Sequence, residues 1–480
     1  MMSKLKPAAL CVIFLFWISP SLQAQKGKAT RIDSLMRIIV ERTDFSGTVL
    51  VAEEGKVTYH KAFGYASREW SVPNSVDSRY KIASLGKQFT ALLILQLADS
   101  GRISLDDPLK KYVPEFSAAG SDKITIRHVL AHRSGIPNYH AIPQFDSVIA
   151  RRGHSLQQFV SLYTATPLLF EPGTSVQYSN LGYSALALVL ERVCAKPFSE
   201  LLRQRVFATA GMNDSYTEDD TRVKPRAASG YQSSFTGYET EHYRDPSSVI
   251  GSGNVVSTTM DLFRYDQALR AGKLLSEKMH RTWVTAGGEF GLGWMSTRTP
   301  VAGKDSLTFV YHDGGNRGFT SVMYRYIEKN ACIVVLSNTG SYNVYSISSR
   351  INRVLTGRAV PPVKKQLVAE FAKVLATDGL APATDVFRRN RENSEYEVDG
   401  GAFNVLGYHF LRKNQLTEAV GIFELLVETF PGEANAYDSL GEGYMSQGRK
   451  EEAIASYQKS LSLDPNNANA RVMLEKLRTR

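Results

Sequence analysis

The chain has 480 residues, of which 43% are apolar and 22% charged, so it has the composition of a globular protein with room for two or three domains. Its formal charge of +10 is spread along the sequence without a run of lysines and arginines, and no nucleic-acid partner is therefore expected. After the first residues no apolar segment is long enough to span a membrane, so we expect no transmembrane anchor.

The first 24 residues have the pattern of a secretory signal peptide. Lys4 and Lys6 precede an apolar stretch over residues 8–18, which is followed by small and polar residues. We expect cleavage after Ala24 and a mature protein that is secreted or periplasmic.

The mature chain would keep two cysteines, Cys194 and Cys332. Exported proteins can form disulfides, but one possible pair is not a disulfide framework. Because Cys194 lies in a helical pattern and Cys332 in a strand pattern, we expect two buried thiols, with a disulfide between them as the alternative.

The segment 25–358 begins with a predicted amphipathic helix over residues 29–43. Two β-rich runs follow within 46–66, and the turn between them predicts a hairpin. A buried helix is predicted from Ser84 onward, because its leucines and phenylalanine cover more than one face.

Helical patterns fill residues 100–275, and strands return within 307–339 before a last helix over 341–356. Strands therefore lie at both ends of the segment 25–358, with a mainly helical insertion between them. This order predicts an α+β fold, in which an antiparallel sheet built from both ends is flanked by helices and carries a helical subdomain.

Beyond residue 358 the composition becomes all-helical, with a predicted helical linker over 359–395 and an internal repeat within 396–480. Small and aromatic residues recur with a 34-residue period: Leu406, Gly407, Phe410, Ala419, Phe423 and Pro431 return as Leu440, Gly441, Tyr444, Ala453, Tyr457 and Pro465. This pattern resembles tetratricopeptide repeats, which pair helices closely and can bind a protein or peptide partner. A third unit from Asn467 is reduced to one helix. Since two repeats are few, we expect them to pack on the helices of 363–392 or on the larger domain.

The segment YKIASLGKQFTALLILQLADSG, residues 80–101, places Ser84 and Lys87 at the start of the buried helix. Residues i and i+3 share a helical face, so the amine would lie one turn from the hydroxyl. Burial that lowers the pKa of the lysine would let it remove the serine proton. A helix cap followed by a surface lysine is the alternative. The same spacing occurs outside such a setting at Ser3/Lys6, Ser78/Lys81 and Ser456/Lys459.

Two further motifs carry reactive groups. Tyr178-x-Asn180 lies between a Pro-Gly loop and an apolar helix, where a phenol can relay a proton and an amide can hold a substrate carbonyl. His312-x-Gly314 ends a strand pattern, and glycine there would let a ligand approach the backbone. Taken singly, each motif is also explained by packing or capping.

In this order, the three motifs resemble the serine β-lactamase-like and penicillin-binding-protein superfamily, especially its branch of class C β-lactamases, D-aminopeptidases, DD-carboxypeptidases and esterases. The stretches ITIRHVLAHRSGIPNY, FEPGTSVQYSNLGY and GSGNVVSTTMDLFRY are similar to that family too. The resemblance covers about residues 30–355. It implies a small-molecule or peptide substrate and no metal or organic cofactor.

The resemblance also implies roles for individual residues. Ser84 would become acylated, Lys87 and Tyr178 would share the proton transfers, and His312 would be a further catalytic residue. Asn180 would bind the acyl side of the substrate. The oxyanion would lie between the backbone N–H groups of Ser84 and Gly315, the residue after Gly314. A structural supporting role is implied for His132, Ser134 and Gly135.

One motif departs from the family pattern. Where β-lactamases and carboxypeptidases commonly have Lys-Thr-Gly, this chain has His312-Asp313-Gly314. Histidine is mostly neutral at neutral pH and Asp313 adds a negative charge, so a substrate carboxylate should bind weakly. We therefore expect an activity nearer to that of D-aminopeptidases or esterases than to that of true β-lactamases. The alternative is an inactive binding or regulatory protein of the same fold, in which Ser84 would not react with a fluorophosphonate.

Overall fold

The structure of the protein, a computed structural model, describes residues 20–218, 222–234, 237–241, 243–286, 290–316, 318–340 and 344–479. Most of the predicted signal peptide, residues 1–19, lies outside the described residues. Across the described ranges, no helix combines the length and the apolar character that a membrane span requires.

Strands occur at both ends of the larger part of the chain, with helices between them. The strands are β1 (Gly47–Glu53), β2 (Lys56–Phe63), β3 (Tyr65–Ser67), β4 (Val72–Pro73), β5 (Tyr80–Lys81), β6 (Tyr216–Thr217), β7 (Tyr231–Ser234), β8 (Gly237–Thr240), β9 (Val255–Ser257), β10 (Met295–Val301), β11 (Lys304–Asn316), β12 (Phe319–Tyr326) and β13 (Ala331–Ser337). The helices are α1 (Pro20–Arg42), α2 (Lys87–Asp99), α3 (Ile126–Leu130), α4 (Leu156–Ser161), α5 (Asn180–Cys194), α6 (Phe198–Leu202), α7 (Ala208–Ala210), α8 (Thr259–Arg270), α9 (Glu277–Thr285) and α10 (Val344–Leu355).

An antiparallel sheet joins the two ends of this part in the order β10-β11-β12-β13-β1-β2. The strand β1 pairs with β13, with Gly47 opposite Ser337, and with its hairpin partner β2 on the other side. The hairpin turns at Glu54 and Gly55, which both have positive φ, as a type I′ turn requires. The predicted α+β fold is confirmed, while the edge strand β10 was not predicted.

The sheet is buried on both faces. Because side chains alternate across a strand, Val49 and Val51 face a core formed with α1 and α10, whereas Leu50 and Ala52 face the core of the helical subdomain. Helix α2 is buried almost all round, as predicted, and belongs to the core of the helical subdomain. Each buried valine or leucine contributes about 1.5–3 kcal/mol, so the sheet is a rigid support for residues at its edges.

Some predicted details were wrong. Helix α1 begins at Pro20 rather than at residue 29, and α2 begins at Lys87 rather than at Ser84. Cys332 is buried, but Cys194 is only half-buried because it is the last residue of α5, beside Arg102. Neither thiol takes part in a disulfide.

The remainder of the chain is a helical array. Its elements are β14 (Lys365–Gln366), α11 (Leu367–Asp378), α12 (Leu380–Asn390), β15 (Tyr396–Glu397), α13 (Gly400–Arg412), α14 (Leu416–Thr429), α15 (Ala434–Ser446), α16 (Lys450–Leu463) and α17 (Ala468–Thr479). The repeats correspond to the pairs α13–α14 and α15–α16, and α17 is the predicted single helix.

The first repeat shares its core with the two preceding helices, as predicted. Phe403 of α13 contacts Phe371 of α11 and Phe387 of α12, with ring centroids 5.4 and 5.0 Å apart. By contrast, Val363 packs with α1 and α10, and Arg42 donates a hydrogen bond to its carbonyl oxygen at 2.8 Å. The start of the predicted linker therefore packs against the larger domain.

A glycine marks the closest approach within the first repeat. A Cβ at Gly407 would lie 2.3 Å from Cε1 of Phe423. We predict that Gly407→Val lowers the free energy of unfolding of the helical array by about 1–3 kcal/mol, because it displaces a buried ring. The matched control is Gly432→Val, since a Cβ at Gly432 meets nothing within 4 Å. Urea unfolding followed by circular dichroism measures both variants, and equal effects would contradict this close helix contact.

Candidate active site

Ser84 lies in the 3-10 turn Ala83–Gly86, which joins β5 to α2. Ala83 has φ of +47°, a conformation that costs a non-glycine residue about 1–3 kcal/mol and occurs often at functional sites. The turn is held by two bonds at Ile82, whose N–H donates to Val255 O at 2.9 Å and whose carbonyl accepts from Ser321 Oγ at 2.7 Å. The tertiary structure thus stabilises a strained turn that leaves Ser84 accessible from a cleft.

Lys87, the first residue of α2, is 0% exposed. Its Nζ lies 3.0 Å from Ser84 Oγ, 2.6 Å from Asn180 Oδ1 and 2.7 Å from the carbonyl oxygen of Ser252. The amide and carbonyl oxygens can only accept, so each takes an N–H of the amine. In the neutral amine, the remaining position is a lone pair that can accept the proton of Ser84.

The surroundings of Lys87 favour that neutral form. Burial lowers the pKa of Lys87 well below its ordinary value, and the negative charge of Asp313 opposes this shift only in part. A lysine that is neutral near physiological pH can act as a general base.

Tyr178 lies in the loop before α5, over the same amine. Lys87 Nζ is 4.8 Å from the centroid of its ring. Burial raises the pKa of Tyr178 well above its ordinary value, although its interaction with Ser84 lowers it. The environments of Lys87 and Tyr178 therefore shift the two pKa values in opposite directions, which suits a base and a proton donor.

Asn180 begins α5, and its side-chain amide has a fixed orientation. Its Oδ1 accepts from Lys87, while its Nδ2 donates to Asn138 Oδ1 at 3.2 Å. The backbone N–H of Asn180 points to the same Asn138 oxygen at 3.3 Å. Sequence reasoning missed the roles of Asn138 and of the Ser252 carbonyl, although both lie in the quoted stretches that resemble the family.

His312 lies on β11 on the side of the helical subdomain and is 2% exposed. Its Nδ1 is 2.6 Å from the carbonyl oxygen of Asp313, which makes that nitrogen the donor in the neutral ring. Burial lowers the pKa of His312 to about 4; Asp313 raises it and Lys87 lowers it further. The expected neutral histidine is thus favoured by its environment.

The two glycines after His312 lie beside the Ser84 turn. A Cβ at Gly314 would be 2.0 Å from the carbonyl oxygen of Ile82, so only glycine lets β11 approach this closely. Gly315 has nothing within 4 Å of a Cβ position and lines the cleft together with Ser84. The structure thus brings the predicted site residues of three separate segments together.

The cleft above Ser84 has a volume of about 320 Å³. Among the described residues that line it, three basic side chains are accompanied by three carboxylates: Lys81, Arg151 and Arg244 with Asp146, Glu218 and Glu241. The ammonium of Lys81 pairs with Glu218 at 3.1 Å and Glu241 at 2.7 Å. No group of three or more His, Cys, Asp or Glu side chains suited to a metal ion occurs in the described ranges.

The other Ser-x-x-Lys pairs within the described residues differ from this site. Lys81 is held by two carboxylates, and Ser78 Oγ accepts from Ser75 N–H at 2.9 Å. Ser456 is buried in α16, and the Lys459 ammonium lies 5.9 Å from the ring centroid of Tyr437. Among these pairs, only Ser84 and Lys87 combine a serine that lines the cleft with a lysine that is fully buried.

Comparison with known proteins gives two matching family models. One, described as Beta-lactamase, matches residues 32–358, and one described as Tetratricopeptide repeat matches 434–467. Penicillin-binding protein 4* of Bacillus subtilis (strain 168) is 31% identical over 341 residues, which are 65% of this chain and 72% of that protein. Residues 32–358 include every predicted site residue.

Solved structures show the same fold. A penicillin binding protein from Bacillus halodurans is 27% identical with a TM-score of 0.59, covering 67% of this chain and 98% of that one. A D-amino acid amidase from Ochrobactrum anthropi SV3 is 24% identical with a TM-score of 0.57, covering 71% and 99%. The second likeness concerns the fold alone.

Proposed function

We propose, since the chain belongs to the beta-lactamase family of serine hydrolases, that it cleaves an amide or ester bond through an acyl-enzyme formed on Ser84. The observation that carries this proposal is the 3.0 Å contact between Ser84 Oγ and the buried Lys87 Nζ. Asn180 Oδ1 and the carbonyl oxygen of Ser252 accept the two N–H groups of the neutral amine. The lone pair of the amine is then left to face Ser84, which supports its role as the base.

In the acylation step, Ser84 Oγ attacks the substrate carbonyl carbon and its proton passes to Lys87 Nζ. The carbonyl oxygen becomes an oxyanion between the backbone N–H groups of Ser84 and Gly315, where one donor is worth roughly 10²–10³ in rate. The bond to the leaving group then breaks, and the leaving group takes the phenol proton of Tyr178. The Lys87 ammonium returns a proton to Tyr178, so the serine proton has in effect moved to the leaving group.

Deacylation follows the same path with water as the nucleophile. Water attacks the acyl carbon, and its proton passes through Tyr178 to Lys87. The ester bond to Ser84 breaks, Ser84 Oγ regains a proton from Lys87, and the acid product leaves. Asn180, whose amide lines the cleft, would hold the acyl side of the substrate. His312, whose pKa is lowered by burial and further by Lys87, would be a further catalytic residue in its neutral form.

For the substrate, we favour an ester or the amide of an amino-terminal residue, as in D-aminopeptidases, over a β-lactam. The His312-Asp313-Gly314 motif supplies no permanent cation, because burial keeps the His312 imidazole neutral. At the cleft, Lys81 and Arg244 both face carboxylates, and Arg151 is exposed to solvent. A substrate carboxylate would thus gain little from this site, whereas a neutral carbonyl compound needs no such partner.

A substrate panel tests this preference. We expect kcat/KM to be higher for a p-nitrophenyl ester and a D-amino-acid p-nitroanilide than for a chromogenic cephalosporin. A matched pair isolates the charge: a D-Ala-D-Ala peptide with a free carboxylate and the same peptide with a carboxamide. Faster cleavage of the free carboxylate peptide, or a cephalosporin rate comparable with the ester rate, would overturn the assignment.

We further propose that the enzyme acts outside the cytoplasm, because the first 24 residues have the signal-peptide pattern. The tetratricopeptide repeats would bind a protein or peptide partner, since arrays of this kind offer extended binding surfaces.

A further inference from the structure

We propose that His132 is a positioning residue for Tyr178, which it holds over Ser84 and Lys87 by ring packing and by bonds to the backbone on both sides of the tyrosine. This inference rests on the proposed function of the site and assigns a role in the reaction to a residue that does not line the cleft.

His132 contacts three consecutive residues, 177–179, of the loop before α5. The backbone N–H of Gln177 donates to the carbonyl oxygen of His132 at 2.9 Å, and the N–H of Ser179 donates to its Nδ1 at 3.1 Å. The ring of Tyr178, between them, packs on the imidazole with centroids 4.3 Å apart and an angle of 32°. One side chain and its own backbone thus fix the position of the phenol.

Two further aromatic rings pack against the imidazole. Its centroid is 5.0 Å from that of Tyr183, and the ring of Phe290 meets it edge-on at 4.9 Å. His132 itself is 1% exposed. The buried, packed imidazole is therefore a platform on which Tyr178 rests.

The bond to Ser179 N–H requires a neutral imidazole, because a protonated ring has no acceptor. Burial, with added effects of Lys87 and His312, holds the pKa of His132 well below its ordinary value. With Nδ1 as the acceptor, the proton lies on Nε2, which is buried and lacks a hydrogen-bond partner among the described residues.

The backbone at His132 also limits what can replace it. Its φ is +56°, which asparagine tolerates better than most residues. His132→Asn can keep an acceptor near Ser179 N–H but loses the ring. His132→Phe keeps a ring under Tyr178 but loses the acceptor. The two substitutions therefore separate the two contacts.

A double-mutant cycle tests the proposal. Each substitution is made in the full-length protein with Tyr178 and in Tyr178→Phe, and kcat and KM are measured with a p-nitrophenyl ester. With Tyr178 present, we expect His132→Phe to lower kcat by about 10- to 100-fold with little change in KM, as for other residues that orient catalytic groups. His132→Asn should lose less, because it keeps the bond to the loop.

In the Tyr178→Phe background, neither substitution should lower kcat by more than about twofold, because the phenol it would position is gone. Any general destabilisation affects both backgrounds equally, and thermal unfolding of all variants measures it. Two results would overturn the proposal for any variant that folds. One is an equal loss of kcat in both backgrounds, and the other is no loss of kcat when Tyr178 is present. If Ser84→Ala remained active, the proposed function would fail instead, so the two failures are distinguishable.

Discussion

Ser84→Ala is expected to lower kcat for every hydrolysed substrate by about 10⁵- to 10⁶-fold, as the loss of a catalytic serine does in other serine hydrolases. The substitution removes one oxygen from a half-buried side chain, so the fold should be unaffected. Steady-state hydrolysis of a p-nitrophenyl ester, together with thermal unfolding, measures both effects.

Ser456→Ala is the matched control for that variant. Ser456 has the same spacing to a lysine, Lys459, but lies in α16 of the helical array. Its kcat should equal that of the unmodified protein. Comparable activity of Ser84→Ala and Ser456→Ala would remove the basis for an acyl-enzyme on Ser84.

Lys87→Met is expected to lower kcat by about 10²- to 10⁴-fold, the range typical of a lost general base. Methionine fills a similar volume in the buried space but cannot accept the Ser84 proton. The control is Lys81→Met, because Lys81 also lines the cleft while its ammonium is paired with Glu218 and Glu241. A loss of kcat in Lys81→Met as large as in Lys87→Met would show that general cleft electrostatics, rather than a base, explains the effect.

The pH dependence of kcat/KM tests the same residue. Lys87 is active as a base only when neutral, and burial lowers its pKa, so activity should persist at neutral pH and fall when acid protonates the amine. The residual activity of Lys87→Met should lack this acid limb. An identical acid limb in both proteins would assign the ionisation to another group.

Much of the fold could be predicted from sequence patterns. Sequence patterns identified the hairpin β1–β2, the strands β11 to β13 and the helices α2 and α5, because each of them buries apolar side chains. The strand β10 was missed because it lies at the edge of the sheet, where exposed polar side chains interrupt the apolar alternation. Ser84 was expected to begin the helix, but it lies in the 3-10 turn that precedes α2. That turn begins at the positive φ of Ala83, a conformation for which an alanine gives no sequence signal.

The site was predictable where side-chain chemistry is encoded in short motifs. Ser84 and Lys87 stand out by spacing and setting, whereas the link from them to Tyr178 and His312 came from the resemblance to a family. Ser252 contacts Lys87 through its backbone carbonyl, a group that every residue carries. Asn138 acts through Asn180, which lies 42 residues further along the chain. Such contacts depend on how loops fold against each other, and a single sequence does not encode them locally.

The most direct test of the central claim is the location of a covalent adduct. The protein is treated with a fluorophosphonate, digested with trypsin and analysed by mass spectrometry. Cleavage after Lys81 and Lys87 releases the peptide Ile82–Lys87, in which Ser84 carries the one side-chain hydroxyl. We predict stoichiometric phosphonylation of this peptide. An unmodified Ile82–Lys87 peptide from catalytically active protein, or an adduct mapped to another serine, would contradict the account.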